Sequence, residues 1–194
     1  MDKIKSNIKY KAVFDTARDL FWKYGIKRVS IEEICKEAGV SKMTFYKFFP
    51  NKIELAKTIL DEVMGESMIK WEALVNSDIP FQKKVEGVFK IKSEAAKNIS
   101  IEFINDMYKN PEMGLVPIIE IHGQKSYALF VEFLKDSQAK GLIRKDIKIE
   151  FILHYVNTSS QYLDDKNLLG LYESPRDLIM EVMNFMFYGL SPKQ

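Results

Sequence analysis

The sequence predicts an all-α protein, and three observations predict it. Apolar residues recur at helical spacing along nearly the whole chain, strand-like alternation is missing, and helix-start signals stand close together between Ser30 and Asn51. No repeat period divides the chain. With 194 residues, 46% of them hydrophobic, the chain is long enough to bury a sizeable core in one or two domains.

The first two helix-start signals enclose a very short turn. Ser30 and Glu33 form a capping box, in which the serine hydroxyl can satisfy the amide of Glu33. Ser41 can cap the next helix in the same way. Between the two helices lies a three-residue turn that begins at Gly39, where a helix usually ends in a left-handed conformation. This pattern is typical of the helix-turn-helix unit.

The second helix of this unit has two distinct faces. At about 100° per residue, Phe45, Phe48 and Phe49 gather on one side, which can anchor the helix against its predecessor. The opposite side carries Lys42, Met43, Tyr46 and Lys47. A rigidly held helix with that outward face suits insertion into the major groove of DNA. A solvated face in an ordinary helical bundle is the alternative, since amphipathic helices are common.

The string VSIEEICKEAGVSKMTFYKFFPNK, which follows an apolar helix ending at Tyr24-Gly25, carries a family resemblance. The patterns Ala-Gly-Val-Ser, Thr-x-Tyr and Phe-x-x-Lys occur in order, and over about residues 8 to 60 the chain closely resembles TetR-family transcriptional regulators. The remaining helical length resembles the family in general character. Two departures stand out: Met43 where the family often has Gly, and Phe48 where it often has His or Tyr.

The resemblance implies contacts of Thr44, Tyr46 and Lys52 with DNA phosphates. It also implies that Lys42, Met43 and Lys47 face the bases. Lysines suit guanine O6 and N7, and a methionine can contact thymine methyl groups. Lys52 is expected in the first turn of the helix that starts at Asn51, where free amides favour an anion. The candidate DNA-binding residues are Arg28, Ser41, Lys42, Met43, Thr44, Tyr46, Lys47 and Lys52.

The charge distribution favours the same interpretation. Residues 1–60, which we call the head, carry 13 Lys+Arg and 7 Asp+Glu, a net charge of +6. Residues 61–194, which we call the body, carry 16 Lys+Arg and 20 Asp+Glu, a net charge of −4, so the net charge of the chain is +2. This arrangement is expected when only the head meets phosphate. Lys3, Lys5, Lys9 and Lys11 form a basic run that could follow a DNA backbone or serve only as a solubilising start.

The remainder of the chain is predicted to be helical, with a long helix leaving the head from Asn51. Further helices are predicted over about 80–96, 100–109, 115–140, 148–164 and 175–188. We therefore expect a helix-turn-helix DNA-binding domain over residues 1–50, built from three helices. A helical domain for effector binding and dimerisation is expected over residues 51–194.

The last two long helices are apolar over more than one face, which predicts neighbours on more than one face. Burial within one chain would satisfy this pattern, but a two-fold interface between two copies is favoured because helix-turn-helix readers usually need two half-sites. The candidate interface residues are Phe151, Tyr155, Leu178, Val182, Phe185 and Met186.

The resemblance also implies an effector pocket between the helices of the body. The candidate lining residues are Phe89, Phe103, Met107, His122, Tyr127, Phe130 and Tyr155. Each of them could equally be an ordinary core residue. Their character indicates an apolar or aromatic small molecule as the effector.

Other functional classes lack their motifs in this sequence. The nine glycines form no nucleotide-binding loop, and there is no serine or cysteine nucleophile pattern, so we expect neither an enzyme nor a cofactor. Glu150 and His154 share a helix face but lack a third metal ligand, so no metal site is predicted. The single cysteine, Cys35, is expected to be a core residue. No signal peptide or membrane span is recognisable, which predicts a soluble, cytoplasmic protein.

These patterns predict a homodimeric regulator that binds a palindromic operator in double-stranded DNA. We expect it to act as a repressor that a small-molecule effector releases. A DNA-binding regulator without small-molecule control is one alternative. A helical protein-interaction module that does not bind DNA is another, and salt-dependent binding to duplex DNA separates it from the other two.

Overall fold

The computed structural model describes residues 7–163 and 165–190. Lys3 and Lys5 of the basic run lie outside the described residues. Every regular element within the described ranges is helical, which confirms the all-α prediction. These helices are α1 (Ile8–Tyr24), α2 (Ile31–Glu37), α3 (Lys42–Phe48), α4 (Lys52–Asn76), α5 (Phe81–Ala95), α6 (Ile101–Lys109), α7 (Val116–Ala139), α8 (Ile149–Ser159), α9 (Lys166–Leu169) and α10 (Pro175–Leu190).

The helix starts follow the predicted capping chemistry. The hydroxyl oxygens of Ser30 and Ser41 accept hydrogen bonds from the amides of Glu33 and Thr44, at 3.1 and 3.2 Å. Asn51 Oδ1 accepts from the amides of Ile53 and Glu54, both at 2.9 Å. These bonds satisfy amides that the first turn of a helix leaves without an intrahelical partner, and they fix where α2, α3 and α4 begin.

The chain forms two compact units, each with its own core. The first unit comprises residues 1–65 and 98–121, and the second comprises residues 66–97 and 122–194. Our division of the chain at residue 50 concerns function and stays a prediction.

The core of the first unit is built by α1 and the helices that follow it. The side chains of Val13, Phe21, Ile34, Phe45 and Leu55 are completely buried there. One aromatic ring comes from α6, where Phe103 packs on Trp22 of α1 with ring centroids 4.4 Å apart. The helix-turn-helix is therefore one layer of a larger core and does not stand alone.

The core of the second unit centres on Phe133 of α7. Its ring lies 5.5 Å from that of Trp71 and 5.8 Å from that of Phe81, measured between centroids. Leu134 and Ile152 are buried beside this cluster. Helices α5 and α10 meet through Phe89 and Phe187, whose rings are 5.4 Å apart.

The predicted helix over about 148–164 is shorter than expected. The α-helix α8 ends at Ser159 and continues as a 3₁₀ turn over Ser160–Leu163. A further short helix, α9, was missed because four residues are too few to show a hydrophobic period. Its start is marked by Asp165, whose carboxylate accepts from the amides of Asn167 and Leu168.

None of the helices within the described ranges is both long enough and apolar enough to cross a membrane.

Candidate nucleic-acid interface

Helix α3 is held in place by its aromatic side, as predicted. Phe45 is completely buried and Phe49 is 4% exposed. The ring of Tyr10 in α1 lies 5.1 Å from Phe49 and 5.6 Å from Phe48, the latter edge-on. Because three rings fix the orientation of such a short helix, its opposite face points outward in a defined direction.

That opposite face is open to solvent. Met43 is 72% exposed and Tyr46 is 54% exposed, and the side chains of Lys42 and Lys47 are exposed beside them. These four side chains together leave the outer face of α3 free to contact another molecule.

Ser41 and Thr44 share a hydrogen bond between their hydroxyl groups at 3.0 Å. Ser41 Oγ also accepts from the amide of Thr44, so it acts first as the cap of α3. Both side chains can still accept or donate one further bond, because a hydroxyl group has one hydrogen and two lone pairs.

Lys42 forms an ion pair with Glu32, which joins α3 to α2. The hydrogen bond between them lowers the pKa of the Glu32 carboxyl group and raises the pKa of the Lys42 ammonium. Sequence analysis did not single out Glu32. Its carboxylate competes with any phosphate or base for the same ammonium group.

Arg28 lies at the entrance to α2 with an exposed side chain. Its guanidinium sits 4.8 Å from the ring centroid of Tyr24, close enough for a cation–π interaction. This contact restrains the arginine near the start of α2 and leaves its outer face free for an anion.

Lys52 is placed differently from a phosphate-contacting lysine. Its ammonium group donates to the backbone carbonyl oxygens of Ile26, Lys27 and Val29, at 2.8, 2.9 and 2.7 Å. These bonds use all three donors of the side chain. Burial lowers the pKa of Lys52, and the charge of Asp106 opposes this shift. The side chain thus fastens the loop between α1 and α2 to α4, and its predicted contact with phosphate requires that these bonds open.

Asp106 of α6 fastens the same loop from another side. It is 7% exposed, and its Oδ2 accepts from the amide of Lys27 at 2.9 Å, while Oδ1 accepts from Asn110 Nδ2 at 3.3 Å. Sequence reasoning missed this residue because 79 positions separate the two partners of the shorter bond. No local motif signals such a contact.

The predicted effector residues are divided between the two units. Phe103 is 2% exposed and belongs to the core of the first unit, and Met107 packs against that core. The remaining candidates belong to the second unit, where Phe89 and Phe130 pack against its core and Tyr127 is 43% exposed. His122 and Tyr155 are half-buried. Phe103 and Met107 are thus explained by packing within the helix-turn-helix unit.

The predicted dimer residues differ in exposure. Phe151 on α8 and Phe185 on α10 are 61% and 71% exposed, and the ring of Tyr155 lies 6.1 Å from that of Phe185. Val182 and Met186 are half-buried. Leu178 is only 2% exposed, so it belongs to the core of its own chain and is corrected from interface to core. Tyr188, which the sequence analysis did not select, is 81% exposed.

Two further observations concern metal ligands and the single thiol. The described residues include no group of three or more His, Cys, Asp or Glu side chains that could hold a metal ion. Cys35 is 5% exposed, and burial raises the pKa of its thiol, which disfavours the reactive thiolate.

Comparison with known proteins identifies the helix-turn-helix unit. Residues 13–59 match the family described as bacterial regulatory proteins, tetR family. YdgC of Bacillus subtilis (strain 168), an uncharacterized HTH-type transcriptional regulator, is 24% identical over 192 residues, which cover 94% of this chain and 93% of that protein.

Solved structures share the fold across nearly the whole chain. A member of the TetR/AcrR family superposes with a TM-score of 0.72 at 18% identity, covering 94% of this chain and 98% of that chain. FadR from Bacillus subtilis, solved in complex with stearoyl-CoA, superposes with a TM-score of 0.66 at 16% identity, covering 93% and 98%. Residues 13–59 therefore match the helix-turn-helix of tetR-family regulatory proteins, and the chain as a whole shares the fold of solved TetR/AcrR regulators.

Proposed function

We propose that this regulator is a homodimeric repressor that binds a palindromic operator and is released from it by a small-molecule effector. Residues 1–50 read the DNA, and residues 51–194 hold the effector and the second copy. The observation that carries the proposal is the outward face of α3, which presents Lys42, Met43 and Lys47 while buried aromatic residues fix the helix.

The DNA contacts divide into two classes in this proposal. Arg28 and the hydroxyl groups of Thr44 and Tyr46 bind phosphates and set the position of the head on the duplex. Lys42, Met43 and Lys47 face the base edges, where the lysines favour guanine and the methionine favours thymine methyl groups. Lys42 must leave Glu32 to make its contact.

The dimer is supported by the exposed aromatic residues on α8 and α10. Phe151, Phe185 and Tyr188 expose more than half of their surfaces, and the ring of Tyr155 lies beside that of Phe185. Exposed apolar clusters on a folded chain mark surfaces that another molecule covers. A second copy would place two recognition helices on successive half-sites of a symmetric operator.

The effector is supported by the aromatic and aliphatic side chains that gather in the second unit. Among proteins with this fold, FadR was solved in complex with stearoyl-CoA, a ligand with a long apolar chain. Binding of an apolar molecule among these helices would shift the population toward a conformation whose two heads no longer fit the operator.

The test is selection of bound duplexes from a random DNA pool by the purified full-length chain, at moderate salt. We expect enrichment of a palindrome. Met43→Ala should change the preferred sequence at one position of each half-site without loss of stability, because the side chain is largely exposed. Ile69→Ala is the matched control, since Ile69 is 69% exposed and lies outside the DNA-reading head.

Two outcomes would overturn the proposal. Failure to enrich any sequence, repeated after removal of co-purified small molecules, would contradict sequence-specific DNA binding by the helix-turn-helix. Enrichment of a single half-site without symmetry would contradict the homodimer.

A further inference from the structure

A cleft of about 640 Å³ opens in the second unit, between the end of α4, the start of α5 and the last turns of α7. This volume is typical of sites for small organic molecules. Phe81, Leu129 and Phe133 contribute apolar surface to its lining. Phe133 is 4% exposed and belongs to the core of the unit, and the other two side chains pack against that core. The cleft therefore combines core residues with residues that face solvent.

Ser137 is a buried polar residue of this lining. It is 1% exposed and lies one turn after Phe133, on the face of α7 that lines the cleft. In the part of the chain that the structure describes, its hydroxyl group makes no hydrogen bond. The buried carboxylate of Asp106, by contrast, accepts two hydrogen bonds. Because a buried polar group without a partner is unfavourable, the Ser137 hydroxyl points to a polar group of a molecule bound in the cleft.

The positive charges of the lining already have acceptors in the protein. Lys84 donates to the carbonyl oxygen of Val75 at 2.5 Å, and Lys140 donates to Asp136 Oδ2 at 2.7 Å. An anion entering the cleft would have to compete with these acceptors for both ammonium groups. The charged side chains of the lining are Asp78, Lys84, Glu132, Asp136 and Lys140.

Two carboxylates of the lining stay available. Asp78 and Glu132 are exposed, and among the described residues neither of them forms an ion pair or a side-chain hydrogen bond. A cation in the cleft would be attracted by both charges without breaking a bond inside the protein, whereas an anion would be repelled. The charge of the cleft thus favours a positively charged ligand.

We propose that this cleft binds an organic amine, a protonated ammonium group on an aromatic or aliphatic body. The body packs on Phe81, Leu129 and Phe133, the carboxylates of Asp78 and Glu132 attract the charge, and an N–H group donates to the hydroxyl of Ser137. The proposal rests on the effector control proposed above, and it adds the place and the chemical class of the effector.

Four probes with the same naphthalene ring and a short alkyl arm test this proposal. Naphthylethylamine ends in an ammonium group, and its trimethylated analogue ends in a cation without N–H donors. Naphthylethanol is uncharged, and naphthylacetate is an anion. Each probe is titrated by calorimetry into the full-length wild type, the double variant Asp78→Asn/Glu132→Gln, and Ser137→Ala. The control Glu72→Gln/Glu120→Gln removes two exposed carboxylates that lie outside the lining.

We expect wild type to bind one naphthylethylamine per chain, about tenfold more tightly than naphthylethanol, and to bind naphthylacetate most weakly. Asp78→Asn/Glu132→Gln should weaken the amine about tenfold and naphthylethanol less than about twofold, since two exposed charges are lost. The control double variant should match wild type for all four probes.

Ser137→Ala tests the hydrogen bond separately from the charge. It should weaken naphthylethylamine about fivefold, because one hydrogen bond is lost, and the trimethylated cation less than about twofold. Without ligand, this variant should melt at the temperature of wild type or above it, because a buried hydroxyl group without a partner has been removed. That measurement also shows that the variant is folded.

The proposal is overturned if wild type binds naphthylethylamine no more tightly than naphthylethanol, or if the two double variants lose affinity equally. Equal weakening of all four probes by Ser137→Ala would also overturn it, because that result indicates a changed shape of the cleft. Selection of duplexes by the same variants is measured in parallel. Failure of every variant and of wild type to enrich an operator would count against the proposed function, whereas the titrations judge the ligand class alone.

Discussion

At the scale of single residues, the loop between α1 and α2 depends on one ammonium group. Lys52 donates to three carbonyl oxygens of that loop, and Asp106 accepts from the amide of Lys27 in the middle of it. The loop leads directly into the cap of α2 at Ser30. Its conformation therefore sets where the helix-turn-helix begins.

Lys52→Met should destabilise the protein by about 2 kcal/mol, because it leaves three carbonyl oxygens without their charged donor. Urea unfolding measures this effect. Lys36→Met, which removes an exposed lysine from α2, serves as control and should change stability by less than about 0.5 kcal/mol.

Salt dependence of duplex binding separates the structural role of Lys52 from its predicted contact with phosphate. If Lys52 mainly fastens the loop, the slope of log Kd against log salt in Lys52→Met stays close to that of wild type. A slope reduced by about 0.9 with unchanged stability would instead assign Lys52 to a phosphate.

Two glycines in the head should differ sharply when replaced by alanine. Gly25 has a φ of 81°, and a Cβ there would lie 2.8 Å from Asp106 Oδ2. Gly39 has a φ of 65°, and a Cβ would meet no atom within 4 Å. Gly39→Ala should cost about 1 kcal/mol from its left-handed backbone, and Gly25→Ala about 3 kcal/mol, because a collision is added. Equal losses in thermal denaturation would contradict this difference.

Residue-level predictions succeeded where the signal was local. The caps at Ser30, Ser41 and Asn51 act on amides two or three positions away, so a short string is sufficient to recognise them. The roles of Lys52 and Asp106 depend on partners 23 to 26 and 79 positions distant. Neither separation leaves a pattern in the sequence.

At the scale of elements, α2 restrains the helix that reads DNA through the ion pair of Glu32 with Lys42. Glu32→Gln should raise affinity for the selected operator about threefold, because the ammonium no longer has to leave a carboxylate before it contacts DNA. The measurement is duplex titration at a fixed salt concentration.

Glu37→Gln is the matched control for this prediction. It removes the same charge from the same helix at an exposed position. A general decrease in repulsion between the head and DNA would raise affinity equally in both variants, and that result would rule out a specific effect of the ion pair.

Helix faces were predictable to different degrees. The two faces of α3 followed from spacing alone, because one side is aromatic and the other polar. Helices α8 and α10 are apolar around much of their circumference, so the spacing of apolar residues could not distinguish buried side chains from exposed ones. Leu178 is buried and Phe185 is exposed, although the sequence analysis selects both for the interface.

At the scale of the whole molecule, the proposed dimer makes the exposed aromatic residues of α8 and α10 essential. Phe185→Asp should halve the molar mass measured by light scattering at micromolar concentration, because a charge would be buried in an apolar interface. It should also weaken binding to the full palindrome while the protein stays folded, since Phe185 is 71% exposed in the single chain.

Leu171→Asp is the control for the dimer prediction. Leu171 is 78% exposed and lies in the turn after α9, so it belongs to neither of the two helices of the proposed interface. A mass unchanged by Phe185→Asp, or halved equally by Leu171→Asp, would contradict the assigned interface.

The sequence by itself determined the helical class and the helix-turn-helix, because caps, turns and helical periods act over a few neighbouring residues. Only the tertiary structure decided which aromatic residues belong to which core and what Lys52 and Asp106 bind. Those properties depend on side chains brought together from distant parts of the chain. Burial and pairing are consequences of packing, which no local pattern encodes.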